Sequence, residues 1–265
     1  MISFPNSKIN LGLNVVRKRN DGFHDIETLM YPVPFRDVLE IIPAKDGIFE
    51  FSVSGIPIPQ NGKPNLCERA FFILDSPPVK ILLHKVIPPG TGLGAGSANA
   101  AFTLVMLNNL FNLGLSKREL KEKALALGSD CPFFVDNIPA IAKGRGEILE
   151  SADINLSGLY LVIITSNISV STARAYSLIK PGKPDESIHD IARKPLSNWK
   201  ELLKNDFEAP IFVKHPILAK IKEWLYKNGA AYASMSGSGS AMFGLFDKKP
   251  DLESFKGLKP LVFRL

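Results

Sequence analysis

Residues 88–101 read PPGTGLGAGSANAA, with Gly90, Gly92, Gly94 and Gly96 alternating with small residues ahead of an uncharged apolar run. Glycines at this density let the backbone turn tightly and approach a ligand, because no Cβ blocks positive φ or close contact. Residues 98–113 carry apolar side chains through several helical turns, so the loop opens onto a helix N-terminus. Unpaired N–H groups and the positive end of the helix dipole favour phosphate there. The stretch, including Pro89 before it and Ser97 after it, reads as an anion cradle. A Walker A loop is excluded, since Ser97 follows Gly96 and the loop holds no lysine. The relaxed dinucleotide fingerprint Gly90-x-Gly92-x-x-Ala95 follows a strand at 80–86. It requires a second strand ending in an acidic residue about twenty positions on, where residues 116–128 (SKRELKEKALALG) read instead as a charged helix. Taken alone, the loop leaves one other reading, a glycine-rich turn with no ligand.

Upstream of the loop the chain is rich in strands. Residues 9–16 (INLGLNVV) and 23–33 are extended and joined by the turn residues 19–22 (RNDG), and further strands are expected at 37–42, 49–53 and 80–86. Residues 65–74 read as a helix with Asn65 as its cap. Downstream, Ser116 with Glu119 forms a capping-box pattern, and Gly128 stops that helix ahead of a turn at 129–132. One or two strands in 138–148 close a first domain, 1–147. Several strands before the phosphate loop describe an α+β unit, unlike a doubly wound nucleotide fold.

The second domain, 148–265, opens with the continuous apolar run 159–165 (LYLVIIT), the pattern of a fully buried strand. A helix capped at Ser171 or Thr172 is expected to 179, a mobile connection over 181–195, and helices at 199–207 and 216–228. Strands at 231–235 and 241–246 flank SGSGS at 236–240, and a short helix from 251 and a strand at 261–265 complete the chain. That order suits a split βαβ sandwich.

Composition narrows the function. The 265 residues are 45% hydrophobic, enough for a substantial core, and the net charge of +6 is compatible with nucleic acid or with a small anionic substrate. Basic residues are scattered apart from Arg17-Lys18-Arg19, and none is interleaved with aromatics, so nucleic acid is not expected as a partner. Two cysteines, far apart, give neither a disulfide framework nor a zinc site. The N-terminus lacks signal-peptide order, and the run 98–115 contains four asparagines and a glycine, so export and a membrane span are not expected and the cytoplasm fits.

Three separated stretches now converge: residues 7–13 (SKINLGL), the 88–101 loop, and residues 236–241 (SGSGSA). Together they resemble the GHMP kinase superfamily. Residues 21–24 (DGFH), 128–134 (GSDCPFF) and 235–246 (MSGSGSAMFGLF) are similar to its branch that acts on a cytidyl-diphosphate-linked polyol. The resemblance spans about residues 7–246. It implies an ATP-binding α+β first domain, a ferredoxin-like second domain with substrate between the two, and transfer of the γ-phosphoryl group to a tertiary 2-hydroxyl. ATP is then the cosubstrate, held by Pro89, Gly90, Gly92, Gly94, Gly96 and Ser97, and Mg2+ is expected with it, its ligands unassigned.

The resemblance also distributes roles. Asp130 matches the catalytic base, and Lys8 the lysine beside it, whose charge keeps a carboxylate ionised and stabilises developing oxygen charge. Asn10 matches a polar substrate contact, Phe23 and His24 the pair that stacks on and hydrogen-bonds to cytosine, and Thr172 and Tyr176 a polar contact and the second wall around that base. Gly237 and Gly239 are expected to bring backbone close to substrate or phosphate. Without the resemblance these residues read as an ordinary turn aspartate, an edge lysine, a core phenylalanine and a surface histidine. Asn6-Ser7 replace the usual Pro-Ala before the lysine, Phe23 replaces a tyrosine, and Ala98 a small hydroxyl residue. Another GHMP kinase acting on mevalonate derivatives, homoserine or a sugar, and a non-catalytic ligand sensor, are the competing readings; oligomeric state is left open.

Overall fold

The computed structural model describes residues 1–59, 62–251, 253 and 257–265. In chain order its elements are β1 (Ile2–Ser3), β2 (Asn6–Lys18), β3 (His24–Arg36), β4 (Val38–Pro43), β5 (Glu50–Gly55), α1 (Leu66–Leu74), β6 (Val79–Lys85), α2 (Ala95–Leu110), α3 (Lys117–Leu125) and α4 (Phe133–Asp136). There follow β7 (Ala140–Gly144), β8 (Ile148–Ser151), β9 (Tyr160–Ile164), α5 (Thr172–Tyr176), α6 (Ile188–Ala192), α7 (Leu196–Leu202), α8 (Glu208–Lys214), α9 (Pro216–Lys227), β10 (Tyr232–Met235), β11 (Met242–Phe246) and β12 (Leu261–Arg264). By contact the chain forms two compact units. One comprises Met1–Ser7, Pro34–Pro89 and Gly94–Ile138; the other comprises Lys8–Val33, Gly90–Leu93 and Pro139–Leu265.

The first unit is built on a sheet of order β1-β4-β6-β5, antiparallel except for the β5–β6 pair. Alternation along the strands sends Leu39 and Ile41 of β4, and Val79, Ile81 and Leu83 of β6, onto Cys67 and Phe71 of α1 and Met106 and Leu107 of α2. Each such side chain contributes roughly 1.5–3 kcal/mol by leaving water. On its other side α2 packs Ala100 and Leu104 against Leu120, Ala124, Leu127 and Cys131. Covered on two faces, α2 carries no charged residue along its length. Both flanking helices start where the sequence places caps. Asn65 accepts from the Cys67 N–H at 2.9 Å while its own N–H donates to Glu68, and Ser116 and Glu119 form the same reciprocal pair.

The second unit contains a sheet of order β2-β3-β7-β8 and another of order β10-β11-β9-β12, the latter antiparallel throughout. With β9 in the interior beside β11 and β12, this is the ferredoxin-like arrangement. Leu13, Val15 and Ile26 of the β2–β3 hairpin share one core with Val162, Ile164, Met242 and Phe246 and with Ile211, Leu218, Ile221 and Leu225 from α8 and α9. Residue 147, where the sequence divides the chain, lies in the turn between β7 and β8, whose strands pair from Ala140–Ser151 to Lys143–Ile148.

Several local expectations change. The 181–195 segment, expected to be a mobile connection, contains α6, capped by Ser187 and burying Ile188, Ile191 and Ala192; its prolines hid a helical spacing. The helix expected at 199–207 is α7, which starts earlier and ends at Leu202, and α8, beyond it, was not expected. Between them Asn205 bridges Leu13 of β2, so backbone pairing replaces helix there. The helix α4 had no counterpart in the sequence reading. The short helix expected from 251 falls largely on residues outside those described. No helix among the described residues is long and apolar enough to cross a membrane.

Candidate active site

The glycine loop is held at both ends by one buried carboxylate. Asp37, fully buried ahead of β4, accepts from the backbone N–H groups of Val86 (2.8 Å) and Ile87 (2.9 Å), the residues that lead into Pro88. Its second oxygen accepts from Lys85 Nζ and, at 3.0 Å, from Asn99 Nδ2 on α2 beyond the loop. Lys85 continues the inward series Val79, Ile81, Leu83 of β6. A lysine at an inward strand position is tolerated when it is paired. That misplaced charge was the available sequence signal for the Asp37–Lys85 pair, which the sequence reading missed.

The helix begins earlier than expected. Gly94, left-handed at φ 72°, is the N-cap of α2, and no side chain caps the helix. Gly96 and Ser97, expected to precede the helix, therefore occupy its first turn, whose N–H groups remain for an anion. Ser97 is in hydrogen-bond contact with the Cys131 thiol, which burial pushes up to about 12. A cavity of about 1040 Å³ adjoins this turn, lined by Pro89, Gly96 and Asn99, by Lys85 and Asn65, and by apolar Phe51, Ile58 and Leu66. Its size suits a nucleotide (ligand pockets run to roughly 1,000 Å³). Asp130 is half-buried in the turn that the Cys131 N–H closes onto Gly128 O at 3.1 Å, between α3 and α4. Pro89, Gly94, Gly96, Ser97 and Asp130 thus belong to the first unit.

The remaining expected residues belong to the second unit, as do Gly90 and Gly92. Lys8 is 3% exposed on β2. Its Nζ donates to Asn10 Oδ1 and, at 3.0 Å, to Gly92 O. Asn10 in turn donates to Thr28 Oγ1 (3.0 Å), which donates to Gly12 O (2.6 Å). Ser236 Oγ donates to the same Gly92 O at 3.0 Å. A Cβ at Gly92, where φ is +79°, would lie 2.0 Å from Ser236 O, so only glycine fits this approach. At Gly237 a Cβ would lie 3.2 Å from Gly92 O and 3.4 Å from Asn10 Oδ1, and the Cβ placed at Gly92 would also lie 3.2 Å from Gly239 N. Lys8, Asn10, Gly92, Gly237 and Gly239 are therefore brought together.

Within the aromatic group two of the three expected side chains pair with each other. His24 and Tyr176 stack on each other, centroids 4.8 Å apart and planes 18° apart, leaving no room for a base between them. Tyr176 also meets Phe207 edge-on. Phe23 is 52% exposed, with the Arg145 guanidinium 4.7 Å from its centroid. Partial burial and then the Lys18 charge lower the His24 pKa, so its imidazole is neutral at pH 7, with one nitrogen donating and one accepting. Thr172 Oγ1 lies 3.1 Å from Ser238 Oγ, which ties α5 to the 236–240 turn.

Known proteins share the sequence and the fold. The family model described as GHMP kinases N terminal domain matches residues 65–144, and that described as GHMP kinases C terminal matches 187–256. A 4-diphosphocytidyl-2-C-methyl-D-erythritol kinase of Bacteroides fragilis is 48% identical over 252 residues, covering 93% of this chain and 92% of its own. The crystal structure of a 4-(cytidine 5'-diphospho)-2C-methyl-D-erythritol kinase superposes with a TM-score of 0.78 at 32% identity, covering 92% of this chain and 90% of its own. The Methanococcus jannaschii mevalonate kinase shares the fold, with a TM-score of 0.72 at 13% identity over 100% of this chain and 98% of its own. The chain belongs to the GHMP kinase family, within its group of 4-diphosphocytidyl-2-C-methyl-D-erythritol kinases.

Proposed function

We propose that the protein transfers the γ-phosphoryl group of ATP to the 2-hydroxyl of 4-diphosphocytidyl-2-C-methyl-D-erythritol, a step of non-mevalonate isoprenoid precursor synthesis. What carries the reading is the identity to the Bacteroides fragilis kinase across nearly the whole of both chains. The cavity beside α2 takes the base and ribose of ATP, and the first turn of α2 takes its phosphates. Asp130 removes the proton of the attacking hydroxyl, and the buried Lys8 ammonium offsets charge as it develops on oxygen. Asn10, Thr172 and Gly237 orient the acceptor. Phe23 offers its exposed face to cytosine and the neutral His24 its polar edge. The division into an ATP-binding part and a ferredoxin-like part, expected near residue 147, belongs to the same proposal. A cytoplasmic location is supported by the two buried, unpaired cysteines.

Among the described residues no group of three or more His, Cys, Asp or Glu side chains is placed to hold a metal ion. Mg2+ in phosphoryl transfer keeps waters and phosphate oxygens and takes one or two protein ligands, so such a group is not required. Ser97 and Asp130 are the oxygens this chain would offer. The ion would neutralise charge between the β- and γ-phosphates.

The reading is tested by ³¹P NMR of the reaction mixture. One new monoester resonance beside an intact diphosphate is expected, coupled to no carbinol proton because the acceptor alcohol is tertiary. A proton-coupled monoester, marking transfer to a secondary or primary hydroxyl, would refute it. Substitution of the stacking face separates the two substrates. Phe23→Ala is expected to raise KM for the cytidyl compound by roughly 5- to 150-fold, the worth of one base–aromatic stack, with KM for ATP little changed. Equal loss for both would assign Phe23 to the fold instead.

A further inference from the structure

The turn at 236–240 is held by a residue that none of the site motifs contains. Asn205 is 3% exposed, in the segment between α7 and α8. Its Nδ2 donates to two carbonyls, Met235 O and Gly237 O, each at 2.8 Å, while its Oδ1 accepts from the Phe207 N–H at 2.9 Å. The same segment is fastened to β2 on both sides: Leu13 N–H donates to Lys204 O, Asp206 N–H donates to Leu13 O, and Asp206 Oδ2 accepts from the Val15 N–H at 2.7 Å. β2 carries Lys8 and Asn10. One amide therefore fixes the turn relative to the strand that bears the lysine.

The far side of the turn is fastened separately, by the Ala241 N–H to Thr91 O (3.0 Å) and Ser240 Oγ to Ile168 O (2.5 Å), and the Ser236 N–H closes onto Ala241 O (2.9 Å). Asn205 holds the near side, at 235–237. Gly237 and Gly239 are left-handed, at φ +57° and +90°, conformations with few intrinsic preferences to hold them. Its links to the site are Ser236 Oγ to Gly92 O, where Lys8 Nζ also donates, and Ser238 to Thr172. With Gly92 Cα already too close to Ser236 O to admit a Cβ, a shift of a few tenths of an ångström in the turn is transmitted to the glycine loop and to the lysine.

We infer that Asn205 is a positioning residue for phosphoryl transfer, acting through its two N–H donations to the 235–237 carbonyls and the Ser236–Gly92 bond. The inference rests on the reading of Lys8 and this turn as parts of the kinase site. The competing role is structural: an Asx turn that starts α8 through the Phe207 N–H, which needs only an acceptor. Asn205→Asp keeps that acceptor and replaces the donor by oxygen, whereas Asn205→Ala removes both.

The test measures kcat with the cytidyl compound, KM for ATP, melting temperature, and hydrogen exchange of the Ser236 and Gly239 amides. Both variants are expected to lower kcat by up to about 10²-fold, the effect of a small misplacement in a preorganised site, with KM for ATP nearly unchanged and with faster exchange in the turn. An Asn205→Asp enzyme with wild-type kcat and exchange would overturn the inference. Should either variant be unfolded at the assay temperature, Ser236→Ala reads the same link: unchanged melting with kcat lowered about tenfold supports it, and wild-type kcat overturns it. If the wild type released no ADP with the cytidyl compound, the functional reading would fall, and the exchange rates in Asn205→Asp would decide the position of Asn205 alone.

Discussion

Asp130→Asn is expected to lower kcat by about 10²- to 10⁴-fold, the usual contribution of a positioned general base, while the Kd for ATP stays at its wild-type value. The substitution separates two roles. Asp130 lies half-buried in the turn between α3 and α4, where an asparagine of nearly the same shape suits the same turn backbone. What an amide lacks is the capacity to take a proton. A tertiary alcohol is a weak nucleophile until its proton leaves, so the loss falls on the chemical step. Near-normal kcat in Asp130→Asn, measured by steady-state ADP release at saturating substrates, would remove Asp130 from the base role and leave it as a turn residue.

The largest effect on stability is expected from Asp37→Asn. Asp37 and Lys85 are buried together, with side chains 0% and 2% exposed. Asparagine keeps an oxygen for the Val86 and Ile87 N–H groups but turns an amide N–H₂ toward the Lys85 ammonium and Asn99. Asn99 can flip to offer its unpartnered Oδ1, but the buried ammonium loses its counter-charge. Removing one partner of a buried pair costs about 3–5 kcal/mol, which for a chain of this size lowers Tm by roughly 6–15 °C. Adding Lys85→Met, which removes the stranded charge at similar volume, is expected to restore much of that loss. A Tm within about 2 °C of wild type in Asp37→Asn would mean that the pair carries no such weight. Because Asp37 grips the chain on both sides of the glycine loop, affinity for ATP is expected to fall with stability in the single variant.

The sequence reading succeeded where a local pattern has one physical solution. Four alternating glycines before an apolar run, the Asn65 cap, the Ser116 capping box, and the continuous apolar strand at 160–164 each specify their own structure within a few residues. It failed where the deciding contact is remote or where flanking residues mask a pattern. Asp37 meets Ile87 and Asn99 across 50 and 62 positions, and Asn205 meets Gly237 across 32, separations over which composition carries no signal. The prolines of 181–195 concealed α6, and a left-handed Gly94 moved the start of α2 ahead of Gly96 and Ser97. For the site, the residues that resemble known motifs gave candidates for base, lysine and aromatic face, but not how the aromatic side chains pair. His24, expected with Phe23 at the base, also covers one face of Tyr176, which was expected to be the second wall. Of the Asp37 clamp the sequence offers one sign, a lysine at the inward strand position 85; the Asn205 clamp, which belongs to no motif, is visible only in the folded chain.

The most direct test is ADP release by the wild-type protein at saturating Mg-ATP with 4-diphosphocytidyl-2-C-methyl-D-erythritol, mevalonate, homoserine and galactose compared at equal concentration. Turnover with the cytidyl compound and background rates with the other three is the predicted result. No release with the cytidyl compound, or faster release with any of the others, would contradict it.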